Sequence, residues 1–110
     1  MIRLTVLYNL KPDVDEKEFL AWRLTEHQKS NSSMRGVVHT DFTQNNLAWP
    51  PNTEPKYRFM TTAEWQNIDE FNEVFYDPAF QEELENGVKK MLSDYVFLIG
   101  DVLISSNEKD

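Results

Sequence analysis

The sequence predicts an α+β domain whose elements run β-α-β-β-α-β. Two patterns carry this expectation. Four segments alternate apolar and polar residues with the period of a strand, and the stretches after the first and third repeat their apolar residues at helical spacing. A third observation bounds the domain count: 110 residues, 40% hydrophobic and 13% aromatic, suffice for one core and not for two.

Each element has its own justification. Ile2 to Asn9 sets Ile2, Leu4, Val6 and Tyr8 on one face and Arg3, Thr5, Leu7 and Asn9 on the other. Lys11-Pro12-Asp13 turns the chain into a helix from Asp15 to about Ser30, acidic in its first turn as the helix dipole favours. Arg35 to Thr43 alternates again and predicts the second strand. Gln44 to Lys56, with three prolines and three asparagines, is a loop. Tyr57 to Trp65 predicts the third strand, and Ile68, Phe71, Val74 and Phe75 mark a short helix. Asp77-Pro78 starts another, with Asp as cap and Pro in the first turn, carrying Phe80, Leu84, Val88 and Met91 at helical spacing. Asp94 to Ile104 is the last strand. Residues 1–104 thus form one domain, and Ser105 to Asp110 a frayed tail.

This order is the split βαβ arrangement of ferredoxin-like folds: one four-stranded antiparallel sheet with both helical units on one face. The other face is expected to carry Leu7, Met60, Phe97, Ile99 and Leu103. So much apolar area left in water invites aggregation. A second copy packed sheet to sheet would cover it, so a homodimer through the open face is expected.

Composition excludes several classes of function. With 19 acidic residues against 11 scattered basic ones, the net charge is −8, which repels nucleic acid and anionic membranes. The longest purely apolar run, Val96 to Ile99, is four residues, where a membrane span needs ~20. Met1-Ile2-Arg3-Leu4 lacks the long apolar stretch of a signal peptide, so a cytoplasmic location is expected. There is no cysteine, hence no disulfide, thiolate metal site or cysteine nucleophile. Phosphate-binding, dinucleotide-binding and serine-hydrolase motifs are absent, so no cofactor is expected.

Two groups of residues could carry chemistry. On the first helix, Phe19, Leu20 and Leu24 define an apolar arc with Trp22 at its edge, and Arg23 and His27 fall inside it. A guanidinium and an imidazole on a buried face must be compensated. Backbone carbonyls or Glu26 would make them a structural pair, whereas their gathering with Gln28 and Asn31 suggests a site. On the second strand, His39 and Asp41 share a face with Arg35, Val37 and Thr43. The matching positions elsewhere, including Arg3, Leu7, Arg58 and Met60, are mixed in polarity, so this side is expected to line a half-enclosed pocket between two sheets, with Phe97 among its apolar contacts. There His39 would move a proton, Asp41 would modulate it, and Arg58 or Arg3 would stabilise an enolate-like oxygen. The bland alternative leaves His39 and Asp41 solvated at a rim. His27, His39 and Asp41 have the residue types of a two-histidine, one-carboxylate metal site, but they point to opposite sides of the sheet, so no metal is expected.

The opening Met1-Ile2-Arg3-Leu4-Thr5-Val6-Leu7-Tyr8 and the helix Phe19-Leu20-Ala21-Trp22-Arg23-Leu24-Thr25-Glu26-His27 resemble EthD-type members of the dimeric α+β barrel superfamily. Trp22 to Gln28 together with Thr40-Asp41-Phe42 resembles the RedY-like group, which accompanies prodiginine-type pyrrole pigment biosynthesis. The superfamily hosts cofactor-free cyclases, isomerases and monooxygenases, haem proteins and members without a settled activity, so fold alone selects no reaction. The resemblance implies His27 or His39 as the acid/base. The resulting expectation is a cofactor-independent enzyme of secondary metabolism, cyclising, dehydrating or isomerising a small, largely apolar intermediate by proton transfer. The rival is a non-catalytic dimer that shelters such an intermediate or docks to a partner enzyme.

Overall fold

The computed structural model describes residues 1–106. Strands β1 (Ile2–Leu10), β2 (Val37–Gln44), β3 (Phe59–Trp65) and β4 (Leu92–Asp101) form one antiparallel sheet in the order β2-β3-β1-β4. The first helical unit is α1 (Glu16–Trp22), a π-helical turn over Arg23–His27, and α2 (Gln28–Ser32). The second comprises α3 (Ile68–Phe75), then α4 (Pro78–Glu83), a π-helical turn over Leu84–Val88, and α5 (Lys89–Met91). The fold is the expected ferredoxin-like α+β arrangement.

Local chemistry sets the helix starts. The side chains of Asp15, Asn67 and Asp77 accept backbone N–H bonds at the starts of α1, α3 and α4, and Pro78 opens α4. The core lies between sheet and helices. Ile2, Leu4, Val6, Tyr8, Phe59, Ala63 and Trp65 from the sheet are buried there, with Phe19, Phe71 and Phe75 from the helices. Among the described residues no helix is long and apolar enough to cross a membrane.

Two bulges change which face a residue occupies. Val37 lies opposite Trp65 and His39 opposite Glu64, so Val38 is an extra residue. Val37 therefore packs on the core side while His39 turns outward, separating two residues that strict alternation put together. In β4 the pairing with β1 slips between Leu7 and Asn9, where Asp94 has φ +47°. Beyond the slip Phe97 faces Val6 and Ile99 faces Leu4, both on the helix side. That corrects the expectation for Phe97 and Ile99: the open face of β4 consists of Val96, Leu98 and Gly100. Leu103 follows the strand and is 92% exposed. Of the tail, Ser105 and Ser106 have no regular structure, and residues 107–110 lie outside the described residues.

Candidate functional site

A cavity of about 620 Å³ opens between the sheet and the two helical units. Leu4, Val6, Phe19, Phe75, Phe80, Leu84, Val88, Met91, Leu92 and Phe97 give it an apolar lining, and Ser30, Asp77, Glu83 and Gly87 stand at its exposed rim. This is the volume and character of a small-molecule site. Both π-helical turns contribute to its wall: Arg23 and His27 from one, Leu84, Gly87 and Val88 from the other. Such turns recur at functional sites because the wider ring re-aims side chains. Here Arg23 and His27 remain on the sheet side while Leu24, expected in the apolar arc, is turned out and 60% exposed.

The polar end of the cavity is built by Arg23, His27, Tyr8 and Thr61. Arg23 is 1% exposed. Its Nη1 donates to Gln28 Oε1 at 2.7 Å and its Nη2 to Thr61 Oγ1 at 3.2 Å, and the guanidinium carbon lies 4.2 Å from the Phe42 ring centroid. Among the described residues neither Glu26 nor a backbone carbonyl bonds to it, so the structural pairing that was one of the two readings of the sequence does not form. Burial lowers its pKa, against the opposing influence of Tyr8, but a guanidinium remains charged. Tyr8 is buried, which raises its pKa although Thr61 and Arg23 pull the other way, so it stands as a neutral phenol. His27 stacks on Trp22, with ring centroids 4.3 Å apart at 23°. Burial first, and the Arg23 charge second, lower its pKa from the ordinary 6.5 to about 4. At neutral pH His27 is therefore an uncharged imidazole able to accept a proton or a hydrogen bond.

The second group of sequence candidates lies on the opposite side of the sheet. His39 Nε2 is 3.0 Å from Asp41 Oδ2, and Thr62 donates to Asp41 Oδ1 at 2.6 Å. Burial alone would raise the Asp41 pKa, but the bonds from Thr62 and His39 and the charge of Arg3 outweigh it and hold the carboxyl low. Arg3 is bound to Glu64 at 2.7 Å, beside His39 in register. Leu7 and Met60 share this open face. Arg58 does not reach it: its guanidinium holds Glu16 of α1 at 3.1 and 3.2 Å. The structure thus joins His27, Arg23 and Phe97 around one cavity, joins His39 to Asp41 elsewhere, and leaves Arg3 and Arg58 each held by a carboxylate. With His27 and His39 on opposite faces, the two-histidine metal arrangement does not form. Among the described residues no group of three potential ligands is close enough to hold a metal.

Tyr8 and Thr61 were missed as site residues. The available signal was Thr61 itself, a hydroxyl on a face otherwise made of Phe59, Ala63 and Trp65.

A helix-covered antiparallel sheet enclosing an apolar pocket with a polar end defines a ferredoxin-like α+β protein with a cavity between its layers. Residues 2–103 match the family described as REDY-like protein HapK, and the chain belongs to that family. HapK from Hahella chejuensis is 16% identical, with the whole of both chains covered and a TM-score of 0.70. An EthD family protein from Bacillus halodurans is 18% identical over 94% of this chain and 99% of its own, at a TM-score of 0.71. The N63A variant of SnoaB from Streptomyces nogalater, a cofactor-independent oxygenase, is 10% identical over 97% of each chain, at 0.70. Other similar structures are described as dimeric proteins with a ferredoxin-like fold. No curated protein is significantly similar in sequence.

Proposed function

We propose that this protein is a cofactor-independent enzyme of secondary-metabolite biosynthesis, in the pathway class of prodiginine-type pyrrole pigments. It binds a small, largely apolar intermediate in the cavity between sheet and helices and cyclises, dehydrates or isomerises it by proton transfer. One observation carries this reading: an apolar pocket of about 620 Å³ ends in a neutral imidazole, His27, beside a buried guanidinium, Arg23. His27 accepts a proton from carbon or oxygen, and Arg23 with Thr61 stabilises the developing oxygen charge. This chemistry needs no cofactor. The family and the resemblance to RedY-like proteins support the pathway class. The enzyme acts as a homodimer through its open sheet face and works in the cytoplasm, a compartment that suits a chain without cysteine.

The test is turnover of bipyrrole and pyrrole pathway intermediates by wild type, His27→Gln, Arg23→Met and His39→Ala. Loss of about 100-fold or more in kcat for His27→Gln is expected. Loss in His39→Ala with His27→Gln unaffected would move the chemistry to His39 and Asp41 between paired sheets. Binding with no turnover by any form would leave the non-catalytic, sheltering role.

A further inference from the structure

Four arginines occur in the sequence, and three of them meet a carboxylate: Arg3 holds Glu64, Arg35 holds Glu73 and Arg58 holds Glu16. Those three side chains are all substantially exposed. Arg23, the most buried of the four, has no carboxylate partner among the described residues; its neighbours are the neutral Gln28, Thr61, Tyr8 and Phe42. A desolvated cation without a counter-charge is costly, and neutral hydrogen bonds with one aromatic face offset only part of that cost. Two hydrogen bonds leave donors of the guanidinium over, since it carries five N–H groups. The cavity wall runs past these groups.

We infer that the ligand brings the missing charge: the cavity recognises a planar unsaturated ring bearing an anionic oxygen, a carboxylate or an acidic enol, which docks on Arg23 and Thr61 with its ring among Phe19, Phe75 and Phe97. Pairing in a water-poor pocket makes such a charge-assisted contact strong and specific. A second consequence follows for His27, whose pKa is held down in part by the Arg23 charge. An anion seated there screens that charge and makes the imidazole a better base once ligand has arrived.

The inference rests on the cavity being the ligand site, and the experiment separates the two. Calorimetry at pH 7 compares 2-naphthoate with the neutral, near-isosteric 2-naphthamide on the full chain. The expected result is at least a tenfold preference for the carboxylate, abolished in Arg23→Met and partly kept in Arg23→Lys. In NMR titrations the His27 midpoint rises from about 4 in the presence of naphthoate and stays put with naphthamide, with His39 as the internal comparison. Equal affinity for the two probes overturns the anion inference while leaving the cavity as a binding site. So does a carboxylate preference that survives Arg23→Met in a folded variant. Failure of both probes to bind removes the cavity reading and this inference with it. The wild-type comparison needs no variant, so it stands even where Arg23→Met does not fold.

Discussion

His27 shows how a single side chain can be read from stability as well as from activity. Its pKa is about 4 in the folded protein and near 6.5 when unfolded. The unfolded chain therefore binds more protons between those values, so this contribution to stability is complete above pH 6.5 and is lost as pH falls toward 4. The ring is partly exposed, and solvent screening trims the effect to on the order of 1–2 kcal/mol. Urea unfolding at a series of pH values should show wild type losing that much more stability than His27→Gln between pH 6.5 and 4.5. Parallel curves would mean that the imidazole is not held neutral. The burial of Arg23 and His27 was legible from helical spacing around Phe19 and Leu20. Their partners were not, because Gln28 reaches Arg23 across the π-helical turn and Thr61 from strand β3, and neither placement leaves a periodic mark in the sequence.

At the scale of elements, two glycines make opposite predictions. Gly36 precedes β2 with φ +78°, and a Cβ there would sit 3.3 Å from the Trp65 indole, itself fixed by a bond from its Nε1 to the Arg35 carbonyl. Gly36→Ala should cost about 1 kcal/mol or more. Gly87 lies in the second π-helical turn with no atom of the described residues within 4 Å of its missing Cβ, so Gly87→Ala should stabilise by about 0.5–1 kcal/mol through the unfolded chain. Chemical denaturation midpoints check both, and a destabilised Gly87→Ala would show that the wider turn needs glycine. The strands and helices themselves were readable because period and capping agree: Asp77 and Pro78 stand where α4 begins. The bulges at Val38 and Asp94 were not readable. A single inserted residue keeps the alternation on each side of it and only inverts the face, which is why Phe97 was expected on the wrong side of the sheet.

The whole molecule has one helix-covered face and one bare face, and the bare one is divided. Arg3, Glu64, His39 and Asp41 make one end polar and internally paired, while Leu7, Met60, Val96 and Leu98 make the other apolar. Leu98 is 52% exposed, so a polar side chain there costs the isolated chain little. In a sheet-to-sheet dimer the same position is dry, and an unpaired carboxylate would cost several kcal/mol. Leu98→Asp should therefore keep its circular dichroism and unfolding cooperativity while its dimer dissociation constant rises by about 100-fold or more. Salt gives an independent check. Each copy carries a net charge of −8, so the wild-type dimer should tighten as ionic strength rises and long-range repulsion is screened. Sedimentation of wild type and Leu98→Asp at micromolar concentration, in low and high salt, reads both effects. A wild-type chain that sediments as a folded monomer under all of these conditions would leave the apolar half of the face without the partner proposed for it.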